Sequence, residues 1–375
     1  MKKYLLFAIL FASCVVFAYS RDYAIVIDHN CIDISKVPLN WVEKAKQDFV
    51  LSYGHTSHGS QIVTGMELLI DDENSPFQFN DGENSLRLYD YTPQGDLGNP
   101  DRVTWAERTR DLLSREDNSI NMVMWSWCGQ VSNASREDIQ TYLDLMSALE
   151  SDFPNINFIY MTGHLDGSGI EGSLHQNNEM IRAFCAENNK ILFDFADIES
   201  YDPDGNYFLD KGADDGCYYF EGNEYKNWAE EWCERNPDKR VDCDDCAHSH
   251  CLNCFNKGKA FWWMLSRIAG WDGLATTVQN DSTEYGLDVV LEQNYPNPAE
   301  TYTNIVFYLP REMTVKLDIF DMNGNLAMSV INNVVYPQGK IAPIMINVNK
   351  LPIGNYEYRL IADNVVKAKT MAIVR

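Results

Sequence analysis

Phe49-Val50-Leu51-Ser52-Tyr53 runs directly into Gly54-His55-Thr56-Ser57-His58-Gly59-Ser60, and the reading of the first two thirds of the chain follows from this stretch. An apolar run of strand length ends in a turn bounded by two glycines, with a helix beginning beyond it. A buried strand that breaks this way lifts the turn residues to the rim of an α/β sheet and leaves the first helical amides without intrahelical acceptors. Ser57 or Ser60 therefore stands where nucleophiles stand, with amides available for a developing negative charge.

Short apolar runs alternate with longer amphipathic stretches from Arg21 to about Gly273, the pattern of a parallel sheet covered by helices. Strands are expected at 49–53, 86–91, 122–127, 158–162 and 191–195, enough for one doubly wound sheet. Between them Ile139, Tyr142, Leu143, Met146 and Leu149 recur at helical spacing behind the N-cap candidate Ser135. Met180, Ile181, Phe184 and Cys185 form a second helical face, and a helix over 260–268 closes the domain before Gly270.

At 375 residues the chain exceeds one ordinary core, and two domains follow. Neither includes residues 1–20, where Lys2-Lys3 precede an apolar stretch over 4–17 and Ala18-Tyr19-Ser20 offers a cleavage site, so a mature chain starting at Arg21 and an exported protein are expected. A lipoprotein anchor at Cys14 is weakened by the apolar residues that continue past it. No later segment has the length of apolar sequence that spans a membrane. The formal net charge of -25 argues against nucleic acid or anionic lipid as partner and fits a neutral or cationic substrate.

After Gly273 the composition shifts, and 274–290 reads as a linker. From Leu291 onward there is no His, Cys or Trp, and short alternating strands separated by Asn323-Gly324, Gln338-Gly339 and Ile353-Gly354 turns indicate a β-sandwich over 291–375. All seven histidines precede Cys251, so imidazole chemistry belongs to the first domain, 21–273.

Apart from Cys14, the cysteines are Cys31, Cys128, Cys185, Cys217, Cys233, Cys243, Cys246, Cys251 and Cys254, an odd set that leaves at least one thiol or metal ligand unpaired. Cys128, at the end of an apolar run, reads as that free thiol, behaving as a small hydrophobe. Cys243-x2-Cys246-x4-Cys251-x2-Cys254 encloses His248 and His250 and admits two readings. Disulfides would brace the loop carrying His248, whereas zinc would draw on the imidazoles.

Serine hydrolysis requires a nucleophile, an imidazole base, a group that orients the base, and oxyanion donors. Ser57 follows the first strand, Asp245-Cys246-Ala247-His248 lies near the domain's end, and Gly98-Asn99 and Gly129-Gln130 follow the second and third strands. This order resembles the SGNH (GDSL-type) hydrolase superfamily, and Gly54-His55-Thr56-Ser57-His58-Gly59 resembles the first block of a divergent branch. The resemblance implies a three-layer, flavodoxin-like parallel sheet and a secreted serine esterase without a cofactor, acting on a small-molecule or glycan ester. It assigns Ser57, Asp245 and His248 to catalysis and Ser57, Gly98 and Gln130 to the oxyanion hole; His55, His164 and Trp127 are candidates to line the substrate cleft. Thr56 replaces the family's aspartate, the third block lacks its Asn-Asp, and Ser60 and His250 are rivals for two of the roles. A zinc hydrolase built on the 243–254 cluster and a non-catalytic surface-binding protein on a hydrolase scaffold are the alternatives.

The tail resembles the type IX secretion C-terminal sorting domain through Leu291-Glu-Gln-Asn-Tyr-Pro-Asn-Pro298, Ile305-Val-Phe-Tyr-Leu-Pro310, Leu317-Asp-Ile-Phe-Asp-Met-Asn-Gly324 and Leu351-Pro-Ile-Gly-Asn-Tyr-Glu-Tyr-Arg359. That resemblance implies an immunoglobulin-like sandwich, the type IX machinery as partner, and passage through the periplasm and outer membrane to the cell surface or beyond.

Overall fold

The computed structural model describes residues 23–273 and 289–375, residue 323 excepted. The expected signal peptide and residues 274–288 of the expected linker lie outside the described residues, while Val290 already begins a strand.

Six strands form one parallel sheet: β1 (Ile25–Ile27), β2 (Val50–Gly54), β3 (Arg87–Tyr89), β4 (Met122–Trp125), β5 (Asn157–Met161) and β6 (Ile191–Phe193), in spatial order β1-β6-β5-β4-β2-β3. Five of them coincide with the expected apolar runs. The sixth, β1, is three residues long, too short to register as a strand in the sequence, and is held by parallel pairing to β6.

The inner strands are buried on both faces, which is why they read as continuous apolar runs. Val123 and Trp125 of β4 join one core, with side chains from α3 (Thr104–Leu113), α4 (Arg136–Asp152) and α5 (Ser173–Glu187). Met122 and Met124 point to the other, with α1 (Leu39–Asp48), α2 (Ser57–Glu67), α6 (Phe195–Glu199) and α8 (Cys251–Ile268). Ser135 caps α4 in a capping box with Asp138, as its position suggested. The closing helix starts at Cys251, nine residues before the apolar face that betrays it, behind the N-cap His250. A hairpin of β7 (Tyr218–Glu221) and β8 (Glu224–Asn227) precedes α7 (Trp228–Arg235).

Helices α2 and α8 meet backbone to backbone. A Cβ on Gly65 would lie 1.8 Å from the Cys254 carbonyl oxygen, and one on Gly258 would lie 2.1 Å from the Gly65 carbonyl carbon. Beside this crossing runs a fully buried polar network. Lys257 Nζ donates to Glu199 Oε1 at 2.6 Å and to Gln61 Oε1, and lies 3.9 Å above the Phe195 ring. Glu199 Oε2 accepts from the Leu165 amide at 2.7 Å, and Gln61 Nε2 donates to the Ala247 carbonyl at 2.6 Å. One lysine thereby fixes α2, α6, α8, the segment after β5 and the loop carrying His248.

Beyond the parallel-sheet domain the chain forms antiparallel sheets, as the alternating pattern indicated. β9 (Val290–Leu291), β10 (Tyr302–Leu309) and β13 (Gly339–Asn347) make one; β11 (Met313–Asp321), β12 (Leu326–Tyr336), β14 (Gly354–Ala362) and β15 (Val365–Ile373) make the other. Their inward residues, among them Phe307, Leu317, Ile319 and Tyr358, share one core.

Two stability outcomes follow. Gly258→Ala forces a methyl group into the Gly65 backbone and is expected to cost about 1–3 kcal/mol or more, read as a lower denaturation midpoint. Lys257→Met strands the buried Glu199 carboxylate and is expected to cost about 3–5 kcal/mol. Adding Glu199→Gln, which keeps an acceptor for the Leu165 amide, should recover part of that loss; a double variant no better than the single one would contradict this account of the network.

Candidate active site between β2 and β4

The helix following β2 packs on one face of the sheet, whereas α4, which follows β4, packs on the other. The C-terminal ends of β2 and β4 therefore flank a switch point, where crevices form in open α/β sheets. The glycines of the opening motif seat the turn against the end of β4. A Cβ on Gly54 would fall 2.5 Å from the Trp125 ring, and one on Gly59 would fall 2.3 Å from His55 Cβ and 2.9 Å from Ser126 Cβ.

Three side chains from distant parts of the sequence form a continuous relay at this mouth. Cys128, three residues past β4, has its Sγ 3.0 Å from His58 Nδ1, and His58 Nε2 is 3.0 Å from Asp215 Oδ2. The Asp215 amide is anchored on the Leu165 carbonyl at 3.1 Å. The His58 ring stacks on His164, with centroids 3.7 Å apart and an interplanar angle of 3°, and on His248 at 4.5 Å and 20°. Ser57 Oγ lies 3.7 Å from the same sulfur. As the first helical residues of α2, Ser57, His58 and Gly59 have amides with no intrahelical acceptor.

The electrostatics follow from these contacts. The hydrogen bond from His58 draws the Cys128 thiol down to about 7 against the opposing effect of burial, with Ser57 and Thr56 assisting. Burial alone would lower the His58 imidazole, but its bonds to Asp215 and Cys128 outweigh that and raise it to about 9. Asp215 is likewise held below the usual carboxylate range: burial pushes it up, and the His58 bond with the surrounding positive charge more than reverses this. Between these values the favoured state is a thiolate beside an imidazolium. His164 is different, because burial lowers it below the usual imidazole range.

Of the residues expected to act with Ser57, His248 reaches the mouth, but through ring stacking on His58 rather than a bond to an acid. Its backbone is in the left-handed region, φ 65°, and both it and Asp245 are exposed, with no hydrogen bond joining them. Ser60 donates its hydroxyl to the Ser57 carbonyl at 2.6 Å, a helix-start contact. Gln130 folds back, accepting from the Cys128 amide at 2.8 Å and donating to Asp96 Oδ2 at 3.3 Å, so its amide is already engaged. Gly98 lies beside Gln130, packed near Arg102 and the Trp127 ring at φ 81°. His55 is fully buried between Tyr53 and Tyr91, with Nε2 2.6 Å from Asp90. Trp127 is 2% exposed and donates to the Met161 carbonyl, so its ring belongs to the core rather than to a cleft wall. His164 is the one proposed cleft residue that lies in the site.

Cys243 pairs with Cys251 and Cys246 with Cys254, so all four sulfurs of the cluster are in disulfides and bind the His248 loop to the first turn of α8. Of the free cysteines among the described residues, Cys31, Cys185, Cys217 and Cys233 are buried and Cys128 is not. Cys128 is the free thiol expected, but not as a buried small hydrophobe: its sulfur is half-buried and faces an imidazole at the C-terminal end of the sheet. His58 and Asp215, 157 residues apart, were not singled out as partners because nothing local links them. The accessible signal was a cysteine at a strand end in a chain with an odd thiol.

Residues 293–374 match the family described as the secretion system C-terminal sorting domain. No curated protein matches the chain. Among solved structures, an endo-β-1,4-mannanase from Thermotoga petrophila is 6% identical, with 69% of this chain and 48% of that one covered at a TM-score of 0.16. A modular endo-β-1,4-mannanase from Cellulomonas fimi is 10% identical, covering 68% and 48% at a TM-score of 0.18. The chain spans about half the length of such structures, and these scores are too low to bear on its fold or activity. The C-terminal segment is a type IX sorting domain, and the protein is exported by that system to the cell surface or released.

Proposed function

We propose that this protein is a secreted acyl hydrolase whose nucleophile is the Cys128 thiolate, with His58 as acid and base and Asp215 as the group that orients it. The observation carrying this reading is the relay of two 3.0 Å contacts, Sγ to Nδ1 and Nε2 to Oδ2. It is the arrangement that thiol-dependent acyl transfer requires. The thiolate attacks the carbonyl carbon and the oxyanion faces the first amides of α2. His58 passes its Nδ1 proton to the departing alcohol, leaving a thioester. Water then attacks the thioester, His58 takes a proton from it, and the acid leaves as Cys128 is restored. Asp215 holds Nε2–H throughout, fixing the tautomer.

Strand order supports placing this chemistry on an SGNH-type, flavodoxin-like scaffold: omitting β1, the sheet runs second-first-third-fourth-fifth. The seven antiparallel strands of the tail, in two sheets around one core, support the immunoglobulin-like reading. The family resemblance and the acidity of the chain favour an uncharged ester, with carbohydrate esters the leading class.

The serine esterase is the second reading, favoured by the position of Ser57 as the first residue of α2 at the same mouth. Among the described residues its hydroxyl contacts the Cys128 sulfur and no histidine. Hydrolysis of p-nitrophenyl acetate by the full chain separates the two. Cys128→Ala is expected to lower kcat/KM about a hundredfold or more and Ser57→Ala less than about tenfold; the reverse order would transfer the nucleophile to Ser57.

A further inference from the structure

On the side of His58 remote from Cys128, three metal-ligating groups lie close together. One ligand atom each from His58, His164 and Asp215 lie within 4.8 Å of one another. The state of His164 is decided by its neighbours. Its Nδ1 faces the Leu165 carbonyl at 2.8 Å, an acceptor only, so in the neutral ring the proton is on Nδ1 and Nε2 carries the lone pair. That nitrogen is buried and has no partner, a costly arrangement for a polar atom with nothing to bind. An Nδ1–H held by a backbone carbonyl is also how metal-binding imidazoles are oriented.

We propose that His58, His164 and Asp215 form a binding site for one divalent cation of the zinc class, and that occupancy reversibly disables Cys128. Two imidazoles and one carboxylate suit a borderline-soft ion and leave a fourth position open. The His58 and His164 rings lie face to face, and lone pairs on parallel rings do not converge. A shared ion therefore requires one ring to turn; with His164 held at Nδ1 by the Leu165 carbonyl at 2.8 Å, that ring is His58, and turning about its Cβ–Cγ bond takes Nδ1 away from the sulfur it holds at 3.0 Å. Metal binding and the Cys128–His58 pair are alternatives, so the ion acts as an inhibitor. The ligand set stands on its own, and only this consequence rests on the thiol reading.

Isothermal titration of the chelator-stripped full chain with zinc chloride should show one site, weakened about tenfold or more by His164→Ala and by the shape-conserving His164→Asn. His29→Ala, in the separate Asp28/His29/Asp197 cluster, and His250→Ala should leave it unchanged. Alkylation of Cys128 by iodoacetamide, followed by peptide mass spectrometry, should slow about tenfold or more with stoichiometric zinc and recover on adding EDTA. No stoichiometric binding, binding indifferent to both His164 variants, or alkylation unchanged with zinc bound would each overturn the proposal. An unreactive Cys128 in the metal-free protein would instead overturn the thiol reading, while the calorimetry still decides the metal site.

Discussion

A fully buried ion pair anchors the first domain. Lys257 and Glu199 are both completely removed from solvent, and a charge so placed is tolerated only when its remaining hydrogen-bonding capacity is met. Here it is met by groups from separate elements: Gln61 on α2, the Leu165 amide after β5, and through Gln61 the Ala247 carbonyl. Each lies near one of the three stacked imidazoles. Gln61 is one helical turn from His58, Leu165 follows His164, and Ala247 precedes His248. Satisfying the lysine therefore aligns the histidines, and the precision of the mouth derives from the electrostatics beneath it.

Glycine provides the second constraint. Gly54 and Gly59 allow the β2–α2 turn to close against Trp125 and Ser126, while Gly65 and Gly258 let α2 and α8 touch at the backbone. Any side chain at these points would lift α2 away from β4, and with it His58 away from Cys128. The two disulfides act on the first turn of α8, at Cys251 and Cys254, beside this crossing, limiting where the His248 loop can move. The motif is thus a packing device as much as a chemical one: its glycines set the distance at which a residue on α2 meets a residue after β4.

Apolar runs revealed five of six strands because strands buried on both faces leave that signature, and β1 was missed because three residues leave almost none. The sorting tail was legible throughout, since its landmarks lie in order along the sequence. The site was legible only as a place. Ser57 and the strand end after Trp125 were located, but the partnership of Cys128 with His58, and of His58 with Asp215, depends on sheet order and on a loop beyond α6. Asp245 has the spacing of a catalytic acid yet stands exposed with no hydrogen bond to His248, whose backbone is left-handed within a disulfide-tied loop. Spacing along a chain describes a helix or strand well and an irregular, cross-linked loop poorly.

The mechanism turns on which atom bonds to the substrate. Rapid acid quenching during turnover of an activated acetyl ester, followed by peptide mass spectrometry, identifies the residue that carries the acyl group. An acetyl thioester on Cys128, removed by neutral hydroxylamine, is the expected result; an oxygen ester on Ser57, stable to that treatment, would contradict it.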